Sequence, residues 1–154
     1  MNLLDHFYLQ HVRVTRLDAR LTDAREGVGE REAKVELNLT PRPLKADSGD
    51  ELPGYRVSAR LSCRSGDAEG TAPKFAATVE VEAIYRQIDG DPVDVASFGA
   101  NHASLTRQLY PLLQQELRGL MLRLGLERVH LPFDLPARVG HAEEAAVEVS
   151  GSVH

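Results

Sequence analysis

The chain has 154 residues, 42% of them hydrophobic and 27% charged, with a formal net charge of −5. Those proportions suit one folded domain and exclude wholesale disorder, and the negative charge argues against general affinity for nucleic acid or anionic membranes. The single cysteine, Cys63, can close no internal disulfide, and no run approaches the roughly 18–20 apolar residues that span a bilayer. With Asp5 near the N-terminus and no basic stretch before it, no secretory leader is read, so the expectation is a cytoplasmic protein without membrane insertion.

The first strand is expected from about Phe7 to Leu21. Its pattern changes phase: Val12 and Val14 fall on even positions, Leu17, Ala19 and Leu21 on odd ones. A one-residue slip exchanges the two faces of a strand, so a single phase change predicts a bulge or bend. The run Ala33 to Thr40 then alternates apolar and polar without a fault, and so does Tyr55 to Arg64. A fourth strand places Phe75, Ala77, Val79, Val81, Ala83 and Tyr85 on one face, with Thr78, Glu80 and Glu82 on the other. Period-two alternation marks strands with one buried and one wet face, as in an antiparallel sheet.

The wet faces carry a charge pattern. Arg56, Arg60 and Arg64 of the third strand are flanked by Glu36 on the second and by Glu80 and Glu82 on the fourth. Cross-strand pairs of opposite charge contribute about 0.2–1 kcal/mol each, which supports the order second-third-fourth. The ladder reads as a solvated sheet face, with an acidic docking surface as the other reading.

After the turn cluster Asp89-Gly90-Asp91-Pro92, the spacing of Leu105, Leu109, Leu112, Leu113, Leu117, Leu120, Met121 and Leu124 predicts a helix from about Ser104 to Leu124. Pro111 predicts a kink or restart, and Gly125 stands where a glycine cap belongs. The apolar stripe is wider than one sheet needs. It assigns Leu109, Leu113, Leu117, Leu120, Met121 and Leu124 to a subunit interface, with Glu116 and Arg123 read as the stripe's solvent edge or, as the other reading, as a buried pair at that interface. Residues 1–136 form the expected domain. Residues 137–154 are read as a polar, mobile tail with room for a short helix near Ala142–Val147.

Catalytic constellations are not found. The histidines His6, His11, His102, His130, His141 and His154 never stand four apart as helical zinc ligands do. Cys63 falls on the apolar face of its strand and reads as a buried, inert thiol. The sequence has no phosphate-binding loop and no nucleophile elbow, so neither enzyme activity nor a metal or cofactor is expected.

The order of elements, and above all Leu109-Tyr110-Pro111, the amphipathic run to Leu124, Gly125, and then Leu131-Pro132-Phe133-Asp134, resembles the SecB-like export chaperones over about Leu9 to Leu135. The resemblance implies an α+β fold, a four-stranded antiparallel sheet against a long C-terminal helix, assembling as a dimer or dimer of dimers. It implies an ATP-independent holdase for unfolded or partly folded clients, with SecA or an antitoxin-like client as further partners. The client-binding candidates are Val12, Val14, Leu17, Leu21, Val28, Phe133 and Leu135. The loop Arg25-Glu26-Gly27-Val28-Gly29-Glu30-Arg31 is charged where that family carries aromatic groove residues. Two other readings stand beside it: a helix-grip domain for a small molecule or lipid, and an oligomeric interaction protein without general client binding.

Overall fold

A computed structural model describes Asn2 and residues 5–22, 33–45, 52–65, 74–126, 137–139 and 147–153. Four long strands, β1 (Phe7–Leu21), β2 (Ala33–Pro43), β3 (Gly54–Ser65) and β4 (Phe75–Gln87), form the antiparallel sheet expected from their alternation. A short helix α1 (Val95–Gly99) and a long helix α2 (His102–Arg123) follow, and then two strands, β5 (Ala137–Val139) and β6 (Val147–Val153). The strand order is β1-β4-β3-β2-β6-β5. The sheet is therefore longer than the expected four strands. Within the stretch read as a tail, β6 pairs with β2 from Ala33↔Val153 to Leu39↔Val147, and β5 pairs with β6.

The buried layer follows from the alternation. Val57, Ala59, Leu61 and Cys63 of β3, with Val79, Val81, Ala83 and Tyr85 of β4, point to one side and are excluded from water. Helix α2 covers that side and buries Leu105, Leu109, Leu113 and Leu117 almost completely. Each such leucine contributes about 1.5–3 kcal/mol relative to an exposed one. One end of the core is aromatic. Phe98 of α1 sits 5.2 Å from Phe7, 4.4 Å from Tyr55 and 5.7 Å from Tyr85, ring centre to ring centre. Their hydroxyls are spent too: Tyr85 donates to Gln108 Oε1 at 2.7 Å and Tyr55 donates to the Val93 carbonyl.

Helix ends behave as their residues dictate. Asp94 caps α1 by accepting from the Ser97 amide at 2.7 Å, and that bond holds its carboxyl below the usual range. Helix α2 runs unbroken through Pro111. It ends in a Schellman motif, with Leu126 N–H to the Met121 carbonyl at 2.9 Å, Gly125 N–H to that of Leu122 at 3.0 Å, and Gly125 at φ +79°.

The stripe of α2 is wide for a reason internal to the chain. The helix reaches β1 and β5 as well as β3 and β4, and Leu126 folds back beneath its last turn. Leu109, Leu113, Leu117, Leu120 and Met121 are thus core residues, at most 8% exposed, and Leu124 is half-buried. Within the single chain the first five already lie against their own sheet, while Leu124 is left half-open. Glu116 and Arg123 are exposed, as the edge reading expected.

Candidate functional site

The first strand is the part of the sheet left least covered. Among the described residues β1 pairs only with β4, so its other edge presents backbone that no described strand pairs. Its pairing is interrupted twice, between Leu9 and His11 and between Val14 and Arg16. At the second interruption Thr15 is the extra residue, and its hydroxyl donates to the Glu80 carbonyl at 3.2 Å.

These bulges explain the phase change. Without them Val12 and Val14 would face one way and Leu17, Ala19 and Leu21 the other. With them Val12 stands opposite Ala83, Val14 opposite Val81, Leu17 opposite Val79 and Leu21 opposite Phe75, all inward residues of β4. Seven apolar or small side chains of β1 therefore share the face on which α2 lies: Phe7, Leu9, Val12, Val14, Leu17, Ala19 and Leu21.

Helix α2 does not cover the whole of that row. Phe7 is buried in the aromatic cluster, but Val14 is 42% and Leu17 48% exposed, and Val12, Ala19 and Leu21 are half-buried. An open aliphatic strip thus runs beside an open strand edge. Such an arrangement can take an extended segment in two ways at once: backbone to the edge, apolar side chains to the strip. The described aromatic side chains take little part, since all of them except Tyr8 are buried. Tyr8 stands on the opposite face, across from Arg86.

Of the client-binding candidates, Val12, Val14, Leu17 and Leu21 are brought together on this strip. Val28, Phe133 and Leu135, like the loop around Val28, lie outside the described residues. Two exposed apolar side chains of α2 also stand apart from the core: Leu122 is 53% and Leu112 39% exposed. The expected stripe included Leu112 and did not include Leu122.

The rest of the surface offers little chemistry. Cys63 is buried, and burial pushes its thiol up to about 12, which leaves it protonated and unreactive near neutrality. No group of metal-ligating side chains occurs among the described residues. Two cavities of about 320 and 270 Å³ lie on the wet face of the sheet, around Arg60 and Arg64. A third, of about 330 Å³, lies at the turn between β4 and α1. None of the three sits between the sheet and α2, where a helix-grip ligand would go. No described helix is long and apolar enough to cross a membrane.

No protein-family model matches the chain, and no curated protein does. Among solved structures, it is similar to the Mycobacterium tuberculosis SecB-like chaperone Rv1957 in complex with a ChAD peptide from the Rv1956 HigA1 antitoxin. The two are 18% identical, superpose with a TM-score of 0.58, and share 86% of this chain and 93% of that one. The antiparallel sheet with its long C-terminal helix, matched over nearly the full length of that chaperone, is a SecB-like fold.

Proposed function

We propose that this protein is an ATP-independent holding chaperone that binds unfolded or partly folded polypeptides along β1, and that it is not an enzyme. The observation that carries this reading is the open strip of Val12, Val14, Leu17 and Leu21 beside an unpaired strand edge. Apolar contact is non-directional, so such a strip grips many sequences, and edge pairing is blind to side chains. The peptide in the complex of its structural neighbour, drawn from an antitoxin, makes an antitoxin-like segment a fitting narrow client. In this reading the protein works in the cytoplasm, and SecA would serve as partner only if the clients are exported.

Self-association belongs to the same proposal. A dimer or dimer of dimers would use Leu112 and Leu122 on the outside of α2, because the inner leucines are already buried. The test is direct. At a twofold excess and without nucleotide, the chain should suppress light scattering from a denatured model enzyme. Static light scattering should give a multiple of the 17.0 kDa chain mass. A stable monomer without any suppression would overturn the reading.

A further inference from the structure

The face of the sheet turned away from α2 has a charge opposite to that of the chain as a whole. On β1, Arg13 faces outward before the second bulge, and that bulge, which turns Leu17 inward, turns Arg16 and Arg20 outward; the three stand opposite Glu82, Glu80 and Ala76 of β4. On β3, Arg56, Arg60 and Arg64 point to the same side, and β2 adds Lys34 and Arg42. The described acids at register positions on this face are Asp18, Glu36, Glu80, Glu82 and, opposite Asn38, Glu148. They are outnumbered, although the whole chain carries −5. The reading of this ladder as an acidic docking surface is therefore reversed.

Three of these acids are engaged. Glu82 Oε1 lies 3.1 Å from Arg13 and 3.7 Å from Arg56, Glu80 lies 3.9 Å from Arg16, and Asp18 lies 3.2 Å from Arg16. Arg60 and Arg64 form no ion pair among the described residues. Each stands in one of the two shallow cavities of this face. Asn38, Thr40 and Ser58, with Glu80 and Glu82, line the cavity at Arg60, and Lys34, Ser62 and Thr78, with Glu36, line that at Arg64. The floor is thus polar and low, and the unpaired guanidinium groups stand over it.

We propose that this face docks an extended acidic peptide segment of a partner protein along β3. The spacing favours that occupant. Arg56, Arg60 and Arg64 are four residues apart on one strand, about 13 Å at 3.3 Å per residue. Carboxylates four apart on a second extended chain meet the same interval, whereas on a helix they stand only about 6 Å apart. Guanidinium forks bind carboxylates in pairs of parallel hydrogen bonds, and the serine and threonine hydroxyls and the Asn38 amide suit a peptide backbone. A nucleic acid fits less well, because its evenly spaced phosphates would have to cross Glu36, Glu80 and Glu82. The surface lies on the far side of the sheet from the α2 layer and does not depend on the holding role of β1.

The test uses the full chain and three fluorescein-labelled probes: a 13-residue Ser/Thr peptide with Glu at every fourth position, the same peptide with its glutamates adjacent, and a single-stranded oligonucleotide. Anisotropy titrations at 50 and 300 mM salt should show the spaced peptide binding most tightly and weakening with salt. Arg60→Glu/Arg64→Glu should weaken it at least ~10-fold, and Arg60→Lys/Arg64→Lys should retain most of the binding. Both variants should keep the native circular dichroism, with a small fall in Tm for the charge reversal alone, since Arg60 stands opposite Glu80. A spaced peptide that binds no better than the clustered one, or is unaffected by the charge reversal, would overturn the proposal. So would tighter binding of the oligonucleotide.

Discussion

Replacing Leu113 or Leu17 by alanine separates the chain's two apolar surfaces. Both changes delete the same three carbon groups, together about 2.4 kcal/mol of transfer free energy when fully buried. Leu113 is 0% exposed, so its variant also leaves a cavity, and the total comes to about 3–5 kcal/mol. Leu17 is 48% exposed, so the folded chain recovers only about half the transfer term, roughly 1 kcal/mol, and leaves no cavity. For a chain of this size, the expected fall in Tm is roughly 6–20 °C for Leu113→Ala and about 2–4 °C for Leu17→Ala. Client affinity should run the other way. The open half of Leu17 is available to an unfolded segment, so Leu17→Ala should weaken binding about fivefold, as ~1 kcal/mol requires. Leu113→Ala, measured below its Tm, should leave it unchanged. Urea and thermal melts followed by circular dichroism give the first quantity, and anisotropy of a labelled unfolded client gives the second. Equal stability losses in the two variants, or client affinity indifferent to Leu17, would refute the reasoning.

Other outcomes follow from single residues. Thr15→Val keeps the extra residue and loses one hydrogen bond, at a cost of about 1 kcal/mol, whereas deleting Thr15 turns Leu17, Ala19 and Leu21 to the wet face. Hydrogen exchange should then show β1 unprotected in the deletion variant and protected in the valine variant. Gly125→Ala meets nothing within 4 Å but must hold φ near +79°, so about 1 kcal/mol of backbone strain should lower Tm by roughly 2–4 °C. The thiol of Cys63, raised from 9.0 to about 12, binds a proton more tightly folded than unfolded. Its contribution to stability is therefore complete below pH 9.0 and lost as pH rises towards 12. Cys63→Ala should flatten that part of the pH–stability curve, and the native thiol should resist an aromatic disulfide reagent at pH 8.

The sheet and long helix were legible because their periods are long and clean: β3 and β4 alternate over more than ten residues, and α2 repeats its leucines over six turns. The bulge in β1 was legible as a change of phase between Val14 and Leu17. Its consequence was not, because the phase says nothing about which face each half of the strand takes. The arginines of β1 therefore went unassigned, and the excess of positive charge on the wet face went unseen. Helix α1 is five residues long, too short to show a period, and its Asp94 cap and the packing of Phe98 explain it. Strand β6 carries Val147, Val149 and Val153 at even intervals, but the Ala- and Glu-rich run before it reads as helical and drowns the signal. The stripe of α2 showed how much apolar surface must be covered, but not whether its own chain or a second one covers it.

The two interruptions of β1 divide its edge into segments at 7–9, 11–14 and 16–21. Each bulge also adds local right-handed twist. A segment laid along this edge finds short stretches of ladder, out of register with one another and not coplanar. Cross-β growth needs the opposite, a long flat template on which each layer copies the last. A strand added to β1 is thus held in pieces and offers a broken edge to the next. The bulges that gather Val12, Val14, Leu17 and Leu21 into one strip also keep that strip from seeding fibrils.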